Sequence, residues 1–214
     1  MSKISIIDYG IGNILSVKRA FQKVGAEVEY ITTEQEIERA DHLVLPGVGA
    51  FKDGMEELKK RNLVNGIQKF CSENRPFLGI CLGMQMMLEE SEEFGISKGL
   101  GIIPGKVIRI PNTDVNGNPQ KVPHVGWNRL KRADKEGSWK RTLLDGMEED
   151  IETYFVHSYV ADPASDEYRL ADTYYGGIRL AATVRKGNCY GTQFHPEKSG
   201  EIGLRIIYNF ANIL

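Results

Sequence analysis

The chain has no apolar run approaching the roughly 20 residues that span a bilayer. Its opening, MSKISIIDYG, carries one lysine and a short strand-like run with no small-residue cleavage site. Neither a membrane span nor a leader is expected, and a cytoplasmic protein is. Charge of one sign is missing too: 27 Lys and Arg against 29 Asp and Glu leave a formal −2, which gives no electrostatic footprint for nucleic acid or an anionic membrane surface. Small molecules or a protein partner are expected instead. Cysteine is scarce, at three residues. Cys71, Cys81 and Cys189 cannot all pair within the chain, and no CxxC or Cys/His spacing suits zinc, so all three read as reduced thiols and no metal is expected. Internal repeats, low-complexity tracts and domain linkers are likewise missing.

What remains is the composition of an ordinary globular protein, 41% hydrophobic and 26% charged over 214 residues, enough for one substantial domain. KISIID (3 to 8) is a short β-branched run. Val17, Ala20, Phe21 and Val24 then recur at helical spacing and mark one buried face, with Gly25 closing the helix. EVEYIT (27 to 32), the acidic helix TEQEIERA, HLVLPG (42 to 47), a helix near Gly54 to Asn74 and PFLGIC (76 to 81) continue the alternation. LGMQMMLEESEE reads as a further helix, with Met84, Met87 and Leu88 in the core. Such alternation predicts an α/β fold with a mostly parallel central sheet and helices on both faces.

Beyond Gly95 the texture changes to strands and turns: KVIRI, VPHVGWNRL, TYFVHSYV, YRLADTYYG, IRLAATVRK and NCYGTQFHP. Turn signals at Asn116-Gly117 and Gly176-Gly177 predict additional antiparallel strands in this half. The polar PNTDVNGNPQ (111 to 120) reads as a hairpin. GEIGLRIIYNFANIL reads as a closing helix.

Cys81 sits in G-I-C-L-G, between a buried strand and a helix start, with Gly79 and Gly83 two residues away on each side. This is the nucleophile-elbow pattern with Cys for Ser. Most free cysteines are small buried hydrophobes, but paired glycines at a strand-to-helix turn favour a presented thiol, with Leu82 N–H as an oxyanion donor. Cys71 and Cys189 lack that setting and read as structural. A thiol needs a base. Of four histidines, His42, His124, His157 and His195, His195 ends the apolar GTQF run and precedes Pro196, at the strand's carboxyl end where α/β sheets assemble their sites. Glu197, two residues on, lies on the same side if the chain stays extended through the proline, and would then hold the imidazole's tautomer.

GICLGMQ (79 to 85) and QFHPEKS (193 to 199) together resemble the class I, or triad, glutamine amidotransferases. DYGIGN (8 to 13), PGVGAF (46 to 51), PHVGWN (123 to 128) and YFVHSY (154 to 159) narrow the resemblance to the glutaminase subunits of imidazole glycerol phosphate synthases, from residue 4 to residue 214. It implies a flavodoxin-like fold, a single amidotransferase domain over 1–214, and hydrolysis of L-glutamine through a Cys81 thioester with His195 and Glu197. It also implies an oxyanion strand at Val48 and Gly49 with Leu82, and glutamine contacts at Gln85, His157, Ser158 and Tyr159. Asn13, Trp127, Asn128 and Lys198 match positions facing a (β/α)8-barrel cyclase partner that receives the ammonia; read alone, Trp127 could equally be core packing. No cofactor is implied. The 111–120 stretch is longer than expected for histidine-pathway members, which keeps a second reading open, ammonia supply to a sugar-amidating synthase of surface polysaccharide biosynthesis. A silent regulatory module is disfavoured by the complete Cys81, His195 and Glu197 set, and a cysteine protease by Gln85, YFVHSY and PHVGWN.

Overall fold

A computed structural model describes residues 3–212. Met1 and Ser2 of the opening segment, and Ile213 and Leu214 of the expected closing helix, lie outside the described residues. In chain order the elements are β1 (Lys3–Ile7), α1 (Ile14–Lys23), β2 (Glu27–Ile31), α2 (Glu34–Arg39), β3 (His42–Gly47), α3 (Phe51–Lys60), α4 (Val64–Ser72), β4 (Phe77–Cys81) and α5 (Leu82–Met86). The short strands β5 (Leu88–Ser91) and β6 (Ser97–Lys98) lead into β7 (Ile103–Arg109), β8 (His124–Arg129) and β9 (Lys131–Arg132). Then come β10 (Glu152–His157), β11 (Tyr159–Pro163), β12 (Arg169–Tyr175), β13 (Ile178–Lys186), β14 (Cys189–Thr192) and α6 (Gly200–Asn212).

The main sheet has the order β2-β1-β3-β4-β14-β13-β12-β9. Its first five strands are parallel and its last three antiparallel. β3 and β4 are buried along their whole length, as strands covered on both faces must be. One face carries Ile37, Phe51, Leu58, Ile67 and Phe70 from α2, α3 and α4. The other carries Phe21 of α1 with Ile206 and Phe210 of α6. The expected α/β architecture with antiparallel additions is what the chain adopts. A two-stranded ribbon, β10-β8, and a smaller sheet, β11-β7-β5-β6, make up the additions.

Helix ends follow local chemistry. Thr33 and Glu36 form a capping box at the start of α2. Gly25, Asn62 and Asn74 take positive φ just past α1, α3 and α4, where each N–H closes back three residues, to Gln22, Lys59 and Cys71 respectively. Asn62 is why the helix expected from Gly54 to Asn74 is two helices: the left-handed residue ends α3, and α4 starts afresh at Val64.

Two further expectations are corrected. The helix after Cys81 stops at Met86, because the carbonyls of Met86, Met87 and Leu88 accept from the N–H groups of Leu100, Ile102 and Gly101. A Cβ on Gly99 would lie 2.2 Å from the Leu88 carbonyl oxygen, so a neighbouring loop lies against the groups that a continuing helix would use. Leu88–Ser91 then pairs with β7. TYFVHSYV is not one strand: it breaks at Ser158, with β10 pairing with β8 and β11 with β7. The 111–120 stretch does turn back on itself, through a Thr113–Pro119 bridge and Asp114 side-chain bonds to the Asn116 and Asn118 N–H groups. It leans on the Gly176-Gly177 hairpin through Val115 N–H to Gly176 O.

Candidate active site

β4 and β14 are parallel neighbours at the centre of the main sheet, so their carboxyl ends deliver Cys81 and the segment ending at His195 to one edge. Cys81 takes φ = +53° between strand and helix, a conformation that costs energy for a non-glycine residue and must be enforced by its surroundings. A Cβ on Gly79 would lie 2.7 Å from the Gly83 backbone, and one on Gly83 only 1.8 Å from the Leu45 carbonyl oxygen. Strand and helix can meet at this angle only when both positions lack a side chain.

His195 Nδ1 lies 2.8 Å from Glu197 Oε1, with both side chains sealed from solvent. The path between them differs from the extended chain expected: Pro196–Lys198 is a 3-10 turn with proline at its start. Ser199 locks that turn, donating from Oγ to the His195 carbonyl at 2.7 Å and accepting from the Tyr154 N–H at 3.0 Å. Burial opposes charge on His195, yet the neighbouring Cys81 sulfur and the Glu197 carboxylate outweigh burial and raise its pKa to about 9. Nε2 makes no hydrogen bond, so the Cys81 thiol acts on the ring as an electrostatic neighbour. Both neighbours favour the charged form of the ring.

A cavity of about 320 Å³ opens beside the thiol, and its walls include Val48, Gly49, Cys81, Leu82, Gln85, His157, Ser158, Tyr159 and His195. Cys81 and His195 thus meet the residues expected for oxyanion stabilisation and glutamine contact in one place, with Glu197 behind the His195 ring. Gly49 has φ = +101° with open space where a Cβ would stand, so its backbone conformation, and not crowding, calls for glycine. Gln85 Nε2 donates to the Tyr159 carbonyl at 2.9 Å and to Gln193 Oε1 at 3.1 Å.

Gln193 escaped the sequence reading. Fully buried, it points Nε2 toward Cys81 Sγ at 3.7 Å while anchoring Gln85. Its signal was available: a carboxamide inside an otherwise apolar GTQF run needs buried partners. Glu93 also lines the cavity, and its carboxylate accepts from the Phe51 N–H that begins α3.

His157 and His124 form a relay: Asn128 Nδ2 to His124 Nε2 at 3.3 Å, His124 Nδ1 to His157 Nε2 at 3.1 Å, and His157 Nδ1 to the Tyr159 carbonyl at 2.9 Å. That order of donors satisfies every ring nitrogen only when both rings are neutral. Burial lowers the pKa of His157 to about 3 and of His124 to about 4, which suits those tautomers. His42 packs edge-on against Phe210, away from the cavity.

Asn13 precedes α1, on the loop after the carboxyl end of β1. Trp127 is 55% exposed, which excludes the core-packing reading. It pairs across the ribbon with Tyr154, as Val125 does with Val156, giving one outward apolar strip whose Val156 borders the cavity. Asn128 is tied to Tyr174 O, and Lys198 is exposed on the turn that bears Glu197. Among the described residues no helix is long and apolar enough to cross a membrane, and no group of three metal-ligating side chains clusters.

The family model for glutamine amidotransferase class-I matches residues 5–213. A relative from Legionella pneumophila (strain Lens), imidazole glycerol phosphate synthase subunit HisH 1, is 51% identical over all of both chains. Another from Geobacillus sp. (strain WCH70), imidazole glycerol phosphate synthase subunit HisH, is 46% identical over 99% of this chain and 97% of its own. Among solved structures, PurLQS from Thermotoga maritima superposes with a TM-score of 0.74 at 17% identity, covering 99% of each chain, a likeness of fold alone. With the elbow at Cys81 inside a match that runs from residue 5 to residue 213, the chain belongs to the class I glutamine amidotransferase family.

Proposed function

We propose that this chain is the glutaminase subunit of imidazole glycerol phosphate synthase, releasing ammonia from L-glutamine for a cyclase subunit in histidine biosynthesis in the cytoplasm. The observation that carries the chemistry is the convergence of Cys81 and His195 on one cavity, with Glu197 holding the far side of the His195 ring at 2.8 Å. Cys81 Sγ attacks the side-chain carboxamide carbon, and the His195 imidazolium gives its proton to the departing ammonia. Water then attacks the thioester with the now neutral His195 as base, which takes the water's proton and so returns to the imidazolium as glutamate and the Cys81 sulfur part. Glu197 holds the ring and balances its charge.

Gln85 spends its amide nitrogen on Tyr159 and Gln193, which leaves its amide oxygen to accept from the substrate's ammonium group. The backbone at His157, Ser158 and Tyr159 receives the amino acid end. Val48 and Gly49 join the Leu82 N–H around the developing oxyanion. The apolar strip of Val125, Trp127, Tyr154 and Val156, with Asn13, Asn128 and Lys198, is the docking face for the cyclase. An aromatic anchor exposed beside a catalytic mouth is the composition such a face needs.

The sugar-amidating alternative is not favoured, since the relative from Legionella named as an imidazole glycerol phosphate synthase subunit covers this chain over its whole length at 51% identity. Copurification with the cyclase, followed by glutamate release with and without it, tests the reading. The isolated chain is expected to be weakly active and the complex strongly so. Full activity of the isolated chain, or failure to bind the cyclase, would overturn the subunit assignment.

A further inference from the structure

The other two cysteines meet at the opposite edge of the sheet. Cys189 opens β14 in register with Phe77, the first residue of β4, whereas Cys81 closes β4. Four residues of strand set the two thiols about 13 Å apart along the sheet. Cys71 lies in the last turn of α4, and Cys189 Sγ approaches its carbonyl oxygen at 3.8 Å. Both cysteines border one cavity. Their meeting is enforced by a clamp: the Asn74 Oδ1 and carbonyl oxygens accept from the backbone and side-chain N–H groups of Asn188 at 2.8 and 3.0 Å, while the Asn188 carbonyl accepts from Phe77 N–H. The cavity they border has a volume of about 450 Å³ and is lined by Gln68, Cys71, Leu100, Ile102, Lys186 and Cys189. Lys186 Nζ is held at its wall by the Ile102 carbonyl at 2.9 Å.

We propose that Cys71 and Cys189 form a redox-active dithiol that closes to an intramolecular disulfide when hydrogen peroxide enters this cavity. The two sulfurs are unequal. Each sulfur acts on the other: with burial adding, this pushes the Cys71 thiol far up, while the same interaction, helped by the Lys186 ammonium, draws Cys189 below the ordinary thiol range against its burial. Cys189 is therefore the attacking thiolate and Cys71 the resolving thiol. Cys189 sulfur takes one oxygen of the peroxide, breaking the O–O bond, and the other leaves as hydroxide and collects a proton. Cys71 sulfur then attacks the sulfenic sulfur, and its own proton leaves with the second hydroxide as water. Peroxide gains two electrons and becomes two waters, and each sulfur gives up one. Transient pairs of this kind are the disulfides a reducing compartment tolerates.

The test uses the full-length chain as Cys81→Ser, so that only these two thiols remain, treated with about one equivalent of hydrogen peroxide. The expected product is monomeric, about 2 Da lighter, without free thiols, and restored by a dithiol reductant. Non-reducing peptide mapping of the unsubstituted chain should join the peptides bearing Cys71 and Cys189, which keeps the test independent of how the variant folds. In Cys71→Ser the same treatment should stop at a gain of about 16 Da on Cys189. A gain of oxygen on either cysteine without a cross-link when both are present, a covalent dimer, or thiols that survive peroxide sufficient to oxidise a free small thiol would each overturn the proposal.

Discussion

His195 and His157 line the same cavity and are 2% and 6% exposed, yet one is raised to about 9 and the other lowered to about 3. Burial penalises the charged ring in both. The difference lies in what meets each ring: a carboxylate and a thiol for His195, a carbonyl and a second imidazole for His157. Depth in the protein sets the penalty, and the partner decides the charge. The pocket thus has one corner built to carry and move a proton and another that stays neutral and fixes the geometry of the Tyr159 carbonyl, to which Gln85 is bound.

The comparison breaks most completely at the sulfur. Cys81→Ala should cut glutamate release in the presence of the cyclase by roughly 10⁴-fold or more, since the nucleophile has no substitute; retention of half the activity would refute the assignment. Glu197→Gln should lower kcat by about 10²–10⁴-fold, because His195 loses its charge partner while the ring stays in place. NMR titration of that variant should find the His195 pKa shifted down toward its ordinary value, and an unchanged pKa would leave the difference between the two rings unexplained.

The two corners should also be separable by pH. A raised pKa means that the folded form holds its proton more tightly, so the stability due to His195 is complete below about pH 6.5 and is lost as pH rises through about 9. The lowered pKa values of His157 and His124 act in reverse. Their contribution is complete above about pH 6.5 and is lost as pH falls toward 4 and then 3. Urea midpoints across pH 4 to 10 should decline at both ends, and His195→Asn should flatten the alkaline decline alone. The smallest effect is expected at the far edge of the sheet, where Cys71 is half-buried and remote from the cavity beside Cys81, and Cys71→Ala should leave glutamate release within about twofold of the unsubstituted chain.

Much of this was readable in residues because it is local. Periodicity located the strands β1 to β4, and G-I-C-L-G marked the elbow because its glycines answer to contacts set by the turn itself. What failed was decided at a distance. LGMQMMLEESEE has the composition of a helix, but its carbonyls are claimed by residues 100–103. YFVHSY looks like one strand because a change of sheets at Ser158 leaves no trace in alternation. Gln193 was passed over although it stands inside a quoted motif, since its role depends on Gln85 and Cys81, more than a hundred positions away.

That distance has a consequence for a chain still being synthesised. β4 and α5 can form early, but the strand that completes the site beside them is among the last elements made, and 112 positions separate Gln193 from Cys81. Contacts of such span form late, after the loop-closure entropy has been paid. A nascent chain therefore carries a thiol with neither base nor clamp, and ammonia release can begin only once the polypeptide has been threaded almost to its end.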